Sequence, residues 1–552
     1  MGPNPFEVIF RKEINHLKEG KHPGFGYKVE SDAGMRIERD VPVPMRDGTK
    51  IYVDILRPEG VRSNLPVIVT YSPYGKHAHK NASMFPGSDI PPGTPSKYAV
   101  WEGPDPIYWT SHGYAVINAD TRGSWYSEGD LTIWSHQEAE DGYDLIEWAA
   151  AQPWCSGKVG MSGVSYLAIV QWGIASLNPP HLAAFNPWEG WSDPYRERFY
   201  HGGMPETKFV LFGQWSTSFT LTRSEDMVQS AAEHPLLDEF WKSKTPELSK
   251  ITAPAFVVAD WGDQGLHTRG TLEGFKQCSS KHKWLEVHGR KKWPYYYRPE
   301  SVERLRTFFD HFLKGTSDEV LSWPKVQIEI RDRYLEGQVR TENEWPLART
   351  NYVPLYLDAA SGSLQPDQPK AKAEVRYDPL DENQRAQFDI TFTRTTELTG
   401  HFKLKLWIQA AGSEDADLFV ALQKFDQSGA YVPFPFFSKF NNGPMALGWL
   451  RVSHRELDPV RSRPEQPWHT HQREDMLKKG EIVPVEIELW ASSTLFHEGE
   501  KLRLFVQGTD VYKYPNIRQS PMHERTRNKG QHVIYSGAQY DSHLLVPMIP
   551  NA

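Results

Sequence analysis

The spacing of hydrophobic residues predicts that strands and helices alternate over residues 49–190. Lys50–Pro58 alternates apolar and polar side chains with the period of two that is typical of a strand. Residues 65–75 and 114–119 contain continuous apolar runs, as expected of buried parallel strands. A helix pattern follows these strands and begins with a capping box formed by Ser135 and Glu138. This alternation predicts a mostly parallel α/β sheet.

The pattern changes twice further along the chain. Residues 191–250 have the pattern of helices joined by loops that contain Gly and Pro, which predicts a helical insertion. Strands and helices then resume, and beyond Pro324 short alternating segments separated by turn residues predict a jelly-roll β-sandwich. The predicted domains are a discontinuous α/β domain (1–190 and 251–320), a helical cap (191–250) and a C-terminal sandwich (321–552).

Composition and charge limit the kinds of molecule that the protein is expected to bind. The protein has 552 residues and a formal net charge of −8, which argues against a nucleic-acid or anionic-membrane surface. Two cysteines cannot form a disulfide framework, and the sequence contains neither a signal-peptide pattern at its start nor a membrane-length apolar run. We therefore expect a soluble cytoplasmic protein with no nucleic-acid or membrane partner, while a homodimer stays open. No His/Cys cluster with metal-ligand spacing occurs, so no metal or cofactor is expected.

Residues 157–168, GKVGMSGVSYLA, have the pattern of a strand, a sharp turn and a helix. Such a turn can project a nucleophilic serine above an α/β sheet, provided that its neighbours are small. Neither Ser162 nor Ser165 fits the pattern Gly-x-Ser-x-Gly. Ser165 lies at the turn into the helix and has Gly163 and Ala168 as small neighbours, whereas Ser162 lies near the strand end. We predict Ser165 as the nucleophile, with a simple helix N-cap as the alternative.

The stretch WCSGKVGMSGVSYLA closely resembles the elbow of the X-Pro dipeptidyl-peptidase/cocaine-esterase family of serine hydrolases, whose motif is Gly-x-Ser-Tyr-x-Gly. Gly163, Ser165 and Tyr166 match this motif, and Ala168 replaces its final glycine. Further similar segments extend the resemblance over most of residues 40–548. The resemblance implies an α/β-hydrolase fold with an inserted helical cap and a C-terminal jelly roll.

The resemblance also implies roles for residues outside the elbow. Tyr74 in YSPYGK corresponds to a family tyrosine whose hydroxyl helps to form the oxyanion hole, and the backbone N–H of Tyr166 would supply the second donor. In VVADWGDQG the triad aspartate maps onto Asp263, with Asp260 as the alternative.

The histidine of the predicted triad departs from the family pattern. Many members have Gly-Pro-Trp-x-His, but the corresponding positions here are occupied by Arg290, Lys291 and Lys292. His288 follows a predicted strand and precedes the next helix, so its position makes it the expected base of the serine. His267 and His282 are the alternatives.

The predicted substrate pocket lies under the helical insertion. Four aromatic residues are candidates for an apolar acyl pocket: Trp188, Trp191, Phe199 and Trp215. Three carboxylates could bind a substrate ammonium group, as in relatives that accept amino acyl groups: Glu189, Asp193 and Glu197. We predict hydrolysis of a small-molecule ester or amide, or of a short peptide, through an acyl-enzyme. The alternatives are an X-Pro dipeptidyl-peptidase, an acyltransferase and an inactive jelly-roll binding protein.

Overall fold

The computed structural model describes residues 6–11, 25–77 and 85–550. The beginning of the chain, where no signal peptide is predicted, lies partly outside these residues. No helix in the described ranges is both long and apolar enough to span a membrane.

The strands of the first part are β1 (Lys28–Asp32), β2 (Met35–Pro44), β3 (Lys50–Pro58), β4 (Leu65–Ser72), β5 (Ala115–Asp120), β6 (Cys155–Val164), β7 (Leu182–Trp188), β8 (Tyr200–His201), β9 (Met204–Pro205), β10 (Ala255–Asp260), β11 (Lys283–His288) and β12 (Val326–Arg333).

These strands, apart from β8 and β9, form one sheet in the order β1-β2-β3-β5-β4-β6-β7-β10-β11-β12. Neighbours are antiparallel from β1 to β5 and parallel from β5 to β12. Every residue of β4, β5 and β10 is buried, which agrees with the continuous apolar runs of these segments. The parallel α/β sheet is therefore confirmed.

The helices are α1 (Pro106–Ser111), α2 (His136–Ala150), α3 (Tyr166–Ser176), α4 (Phe209–Ser216), α5 (Met227–Glu233), α6 (Glu239–Ser243), α7 (Thr268–Gln277), α8 (Lys292–Tyr297) and α9 (Pro299–Phe309). Ser135 caps α2 by accepting from the Glu138 N–H, as the capping box predicts. The Glu138 carboxylate, however, accepts from the Trp134 N–H and not from that of Ser135.

The segment predicted as a purely helical insertion also contains a hairpin. Between the π-helical turn Tyr195–Phe199 and α4, strands β8 and β9 pair antiparallel around Gly202 and Gly203. Both glycines have positive φ, and a Cβ on Gly202 would lie 2.2 Å from the Trp449 carbonyl oxygen. The close approach of the sandwich therefore requires glycine here, and a glycine pair favours a tight turn over a helix.

Beyond β12 the chain is a β-sandwich. Its strands are β13 (Glu336–Glu342), β14 (Asn351–Asp358), β15 (Ser363–Gln365), β16 (Ala373–Tyr377), β17 (Ala386–Thr391), β18 (Thr396–Ala411), β19 (Asp417–Phe425), β20 (Tyr431–Val432), β21 (Phe434–Phe436), β22 (Phe440–Gly443), β23 (Ala446–Arg451), β24 (Val483–Phe496), β25 (Lys501–Gln507), β26 (Gln531–Ser536) and β27 (His543–Met548). One layer is built around β18, which pairs with β24, β26 and β27, and the other contains β17, β25, β19 and β23 in sequence. Leu404, Leu422 and Ile487 belong to the core between them.

The sandwich packs against the loop that joins β10 to α7. A Cβ on Gly262 would lie 2.3 Å from the Pro435 carbonyl oxygen, and Gln264 accepts from the Leu447 N–H at 3.1 Å. The Gln264 amide also donates to the Ala491 carbonyl oxygen at 3.2 Å. The C-terminal domain therefore holds the loop that carries Asp263 and His267 in place.

Candidate active site

Ser165 occupies the sharp turn between β6 and α3. Its backbone has φ 59° and ψ −115°, a conformation that costs a non-glycine residue free energy and that is typical of functional turns. Its side chain makes no capping hydrogen bond to the helix. The geometry therefore differs from that of an ordinary N-cap serine and leaves the hydroxyl available for chemistry.

The small residues around this turn are explained by close packing. A Cβ on Gly163 would lie 2.5 Å from the Leu167 Cβ, so that position requires glycine. Ala168, which departs from the family motif, faces Gly190, where an added Cβ would lie 2.7 Å from the Ala168 Cβ. Gly190 thus provides the space for the extra methyl group, and the elbow keeps its shape.

Ser162 lies on β6 and has a structural environment. It is buried, its hydroxyl donates to the Asn186 side-chain oxygen at 3.0 Å, and it lies 3.0 Å from the Tyr296 hydroxyl. Both contacts are inside the protein, away from the cavity beside Ser165. These contacts make Ser162 a packing and hydrogen-bonding residue of the sheet.

The histidine that contacts Ser165 is His267. The two side chains lie 3.1 Å apart (Oγ to Nε2), and the imidazole stacks on Trp191 with ring centroids 5.2 Å apart. Burial lowers the pKa of His267 well below its ordinary value, and the charges of Lys292 and Arg198 lower this pKa further. His267 is therefore neutral at pH 7, with Nε2 able to accept a proton from Ser165.

Asp263 is paired with a lysine. The Lys292 ammonium lies 2.6 Å from Asp263 Oδ2 and 3.9 Å from Glu189 Oε2, and all three side chains are buried. Burial lowers the pKa of Lys292, but the carboxylates of Asp263 and Glu189 outweigh this effect and raise it above its ordinary value. Within the described ranges no carboxylate forms an ion pair with His267, and its Nδ1 has no hydrogen-bond partner. Asp263 therefore neutralises a buried cation instead of orienting the imidazole.

His288 does not reach Ser165. Its Nδ1 accepts from the Arg290 N–H at 3.2 Å, which leaves Nε2 to carry the proton and donate to Glu189 at 3.2 Å. Tyr295 covers the ring at a centroid distance of 3.7 Å. Burial lowers the pKa of His288 to about 3. Both ring nitrogens are thus engaged in the interior.

The two remaining alternatives also lie away from the serine. Asp260 accepts from the Gly262 N–H at 2.8 Å and lies 3.9 Å from His288 Nδ1. His282 is exposed immediately before β11 and stacks on Trp284 with ring centroids 6.3 Å apart. Neither residue contacts Ser165 or His267.

The two predicted oxyanion donors, Tyr74 and Tyr166, lie beside Ser165. The Tyr74 hydroxyl is hydrogen-bonded to Ser165, and burial together with the charge of Glu102 raises the pKa of Tyr74 well above its usual range. Tyr74 therefore stays protonated and able to donate. The Tyr166 N–H is in the first turn of α3, where no intrahelical acceptor exists. The Tyr166 hydroxyl donates to Glu138 at 2.6 Å, which leaves only its backbone group for the oxyanion.

A largely apolar cavity opens beside Ser165 under the inserted segment. Its lining includes Trp134, Trp191, Phe199, Phe209 and Phe212. Of the four aromatic residues predicted for this pocket, Trp191 and Phe199 lie in its wall. Trp188 is instead buried against Phe256, Tyr295 and Tyr296, because it ends strand β7 facing the other side of the sheet. Trp215 lies on the outer surface of α4, 39% exposed.

The three carboxylates predicted to bind an ammonium group are engaged elsewhere. Glu189 contacts His288 and Lys292, Asp193 pairs with Arg196 at 2.6 Å, and Glu197 pairs with Arg269 at 2.8 Å. None of them lines the cavity beside Ser165. Two charged side chains do line it, Glu225 and Arg198, and neither was predicted from the sequence. The four aromatic rings around this arginine come from different parts of the chain, so only the folded structure shows them together. The one signal in the sequence is the run YRERFY, in which arginines alternate with aromatic and acidic residues.

Among the residues that the structure describes, two groups of acidic and histidine side chains elsewhere have metal-ligand spacing. They are Asp40, Asp54 and His77, and Asp332, His497 and Glu500. A buried lysine ammonium already lies in each: Lys76 contacts Asp40, and Lys424 lies 2.8 Å from both Asp332 and Glu500. These lysines supply the positive charge that the carboxylates need.

Comparisons with known proteins show which family this chain resembles. Residues 47–290 match the X-Pro dipeptidyl-peptidase (S15 family) model, and residues 320–545 match the X-Pro dipeptidyl-peptidase C-terminal non-catalytic domain. The solved structure of a CocE/NonD family hydrolase from Staphylococcus aureus is 42% identical and superimposes with a TM-score of 0.91 over 98% of this chain and 99% of that one. The cocaine esterase of Rhodococcus sp. (strain MB1 Bresler) is 25% identical over 94% of this chain and 99% of its own length.

A more distant relative is the Xaa-Pro dipeptidyl-peptidase of Lactobacillus delbrueckii subsp. lactis, which is 21% identical over 73% of this chain and 60% of its own length. The full-length match to the Staphylococcus aureus hydrolase shows the family. The chain belongs to the CocE/NonD family of serine hydrolases.

Proposed function

We propose that this protein is an esterase that cleaves small carboxylic esters with Ser165 as nucleophile and His267 as general base. The observation that carries the proposal is the contact of 3.1 Å between Ser165 Oγ and His267 Nε2 at the edge of an apolar cavity. A serine hydroxyl becomes a useful nucleophile only when a base within hydrogen-bond reach accepts its proton. The net charge of −8 supports a small-molecule substrate over a nucleic acid or an anionic membrane. The low count of two cysteines supports a reducing compartment such as the cytoplasm.

The reaction would proceed in two steps. Ser165 Oγ attacks the ester carbonyl carbon while His267 Nε2 accepts its proton, and the Tyr74 hydroxyl and the Tyr166 N–H bind the oxyanion. The protonated His267 then donates to the leaving alkoxide, which departs as the alcohol and leaves Ser165 acylated. A water molecule next gives its proton to His267 and attacks the acyl-enzyme, and Ser165 recovers its proton as the acid leaves.

The charges around the cavity support an ester without an amino group over a peptide. An aminopeptidase or X-Pro dipeptidyl-peptidase must bind a substrate ammonium, which calls for an uncompensated carboxylate in the pocket. Glu225 in the cavity wall is paired with Lys244 at 2.8 Å, and Glu189, Asp193 and Glu197 do not line the cavity. The remaining charge in the wall is the cation Arg198, which would repel a substrate ammonium.

A direct comparison of substrates tests this choice. We expect p-nitrophenyl butyrate to be hydrolysed with a kcat/KM at least about 100-fold above that for an X-Pro p-nitroanilide, because burying an ammonium beside an unpaired arginine costs several kcal/mol. Both products are followed by their absorbance at matched enzyme concentration. Faster release of p-nitroaniline than of p-nitrophenol would contradict the ester proposal and favour a dipeptidyl-peptidase.

The role of Tyr74 gives a second prediction. Tyr74→Phe should lower kcat by about 10²–10³-fold, since it removes one of two oxyanion donors, and should leave KM nearly unchanged. The control is Tyr166→Phe, which keeps the backbone N–H and removes only a hydroxyl bonded to Glu138. A larger loss of kcat in Tyr166→Phe than in Tyr74→Phe would argue against the assigned donors.

A further inference from the structure

Arg198 is a buried cation without a hydrogen-bonding partner in the described part of the chain. It is 3% exposed, and its Nε and Nη1 atoms have no acceptor. A guanidinium has five N–H donors, and leaving several of them unsatisfied in the interior is costly. The neighbouring charged residues of the same turn differ: Arg196 is paired with Asp193, and Glu197 with Arg269.

Aromatic rings and a glycine form the space that holds Arg198. The guanidinium carbon lies 4.7 to 5.8 Å from the ring centroids of four residues: Trp134, Trp191, Phe199 and Phe209. A Cβ on Gly213 would lie 2.0 Å from Nη2, so the glycine in α4 makes room for the side chain. Cation–π contacts hold the guanidinium in place but do not satisfy its N–H groups.

No carboxylate forms an ion pair with this arginine in the described part of the chain. Glu206 influences Arg198 electrostatically but forms no ion pair with it within the described residues, and its oxygens accept from the N–H groups of Lys208, Phe209, Val210 and Met522. Glu225 is matched by Lys244. Burial lowers the pKa of Arg198 to about 10, so the group remains charged at neutral pH. The guanidinium therefore lines the cavity beside Ser165 with no direct ion-pair partner among the described residues.

We infer that Arg198 binds a carboxylate of the substrate, so that the preferred substrates are esters carrying a free carboxylate on the part that enters this cavity. Half-esters of dicarboxylic acids and esters of hydroxy acids are the two chemical classes that meet this requirement. The inference rests on the proposed function, because the cavity is a substrate pocket only if Ser165 is the nucleophile. A carboxylate would satisfy the N–H groups and replace an unpaired charge by a charge-assisted, bidentate contact.

The test uses esters that differ only in this charge. In the first series, mono-4-nitrophenyl esters of glutaric to suberic acid are compared with the matching terminal carboxamides. In the second series, the butyrate ester of 4-hydroxybenzoate is compared with that of 4-hydroxybenzamide. We expect kcat/KM to favour the carboxylate by about 10- to 100-fold in one of the two series, as charge-assisted hydrogen bonds provide. The series that shows this preference identifies the side of the ester that carries the carboxylate.

Variants assign the preference to Arg198. In Arg198→Met the ratio of kcat/KM for the carboxylate to kcat/KM for the carboxamide should fall to about one, and Arg198→Lys should keep part of the preference. Arg196→Met removes a buried arginine of the same turn outside the cavity and should keep the whole preference. Since the readout is a ratio within each variant, partial loss of folded protein does not affect it. If Arg198→Met does not fold, the comparison of this ratio between the wild type and Arg198→Lys tests the role of Arg198.

The outcomes separate this inference from the proposed function. Hydrolysis of carboxylate and carboxamide at equal rates in both series, or a preference that persists in Arg198→Met, would overturn the role of Arg198 and leave the esterase intact. Failure of the wild type to hydrolyse any of these esters would overturn both.

Discussion

Replacing Ser165 by alanine should lower kcat for p-nitrophenyl butyrate by about 10⁴–10⁶-fold, the loss seen when a serine hydrolase loses its nucleophile. Ser165 occupies a turn with positive φ at the N-terminus of α3, and its hydroxyl contacts His267 instead of capping the helix. Alanine keeps the small size that the turn requires. The folded structure should therefore persist, and the residual rate measures binding and oxyanion stabilisation without covalent catalysis.

Ser162→Ala is the matched control for this prediction. It removes the same hydroxyl group three residues earlier, where the oxygen bonds Asn186 and Tyr296 inside the sheet. Loss of these buried contacts should cost about 1–3 kcal/mol of stability and change kcat by less than about tenfold. Activity that survives in Ser165→Ala but disappears in folded Ser162→Ala would contradict the assignment of the nucleophile.

Replacing His267 by asparagine should lower kcat/KM by about 10²–10⁴-fold, because the variant lacks the general base. The same substitution at His288 should change kcat/KM by less than about tenfold. His288 contacts Glu189 and Arg290 inside the protein and does not touch Ser165. Both variants are compared at equal folded fractions, verified by near-UV circular dichroism. A greater loss in His288→Asn would show that the histidine after β11 is the base.

The pH dependence follows from the environment of His267. A general base must be neutral, so kcat/KM falls as pH drops through its pKa. Burial lowers that pKa well below 6.5, and Lys292 and Arg198 lower it further. We therefore expect kcat/KM to stay constant as pH falls through 6.5 and to decline only in more acidic solution. An acid limb centred near 6.5 would instead indicate a solvated imidazole.

Much of the fold could be predicted because its signals are local. The buried runs of β4 and β5, the cap of α2 and the turn at Ser165 each depend on residues that are neighbours in the chain. The hairpin of β8 and β9 was missed because its two glycines are required by contacts with Trp449 and His454, which are distant in sequence.

The partners of Ser165 depend on packing that the chain pattern does not reveal. Its position after a strand favours His288 as the base, yet its two ring nitrogens are hydrogen-bonded to Glu189 and to the Arg290 N–H in the interior. His267 reaches the serine because the sandwich fixes the loop after β10. The sequence shows that Lys292 lies where many family members carry the triad histidine. It does not show that Lys292 contacts Asp263. The role of Arg198 could not be predicted either, because its lack of an ion-pair partner depends on which carboxylates the fold brings near it.

The central claim is that Ser165 reacts through His267, and covalent labelling tests it most directly. A fluorophosphonate should modify one serine, and peptide mass spectrometry should place the adduct on the peptide that contains Ser165, at that residue. The second-order labelling rate should fall by about 10²-fold or more in His267→Asn and remain within about tenfold of wild type in His288→Asn. An adduct on another serine, or an unchanged labelling rate in folded His267→Asn, would contradict the account.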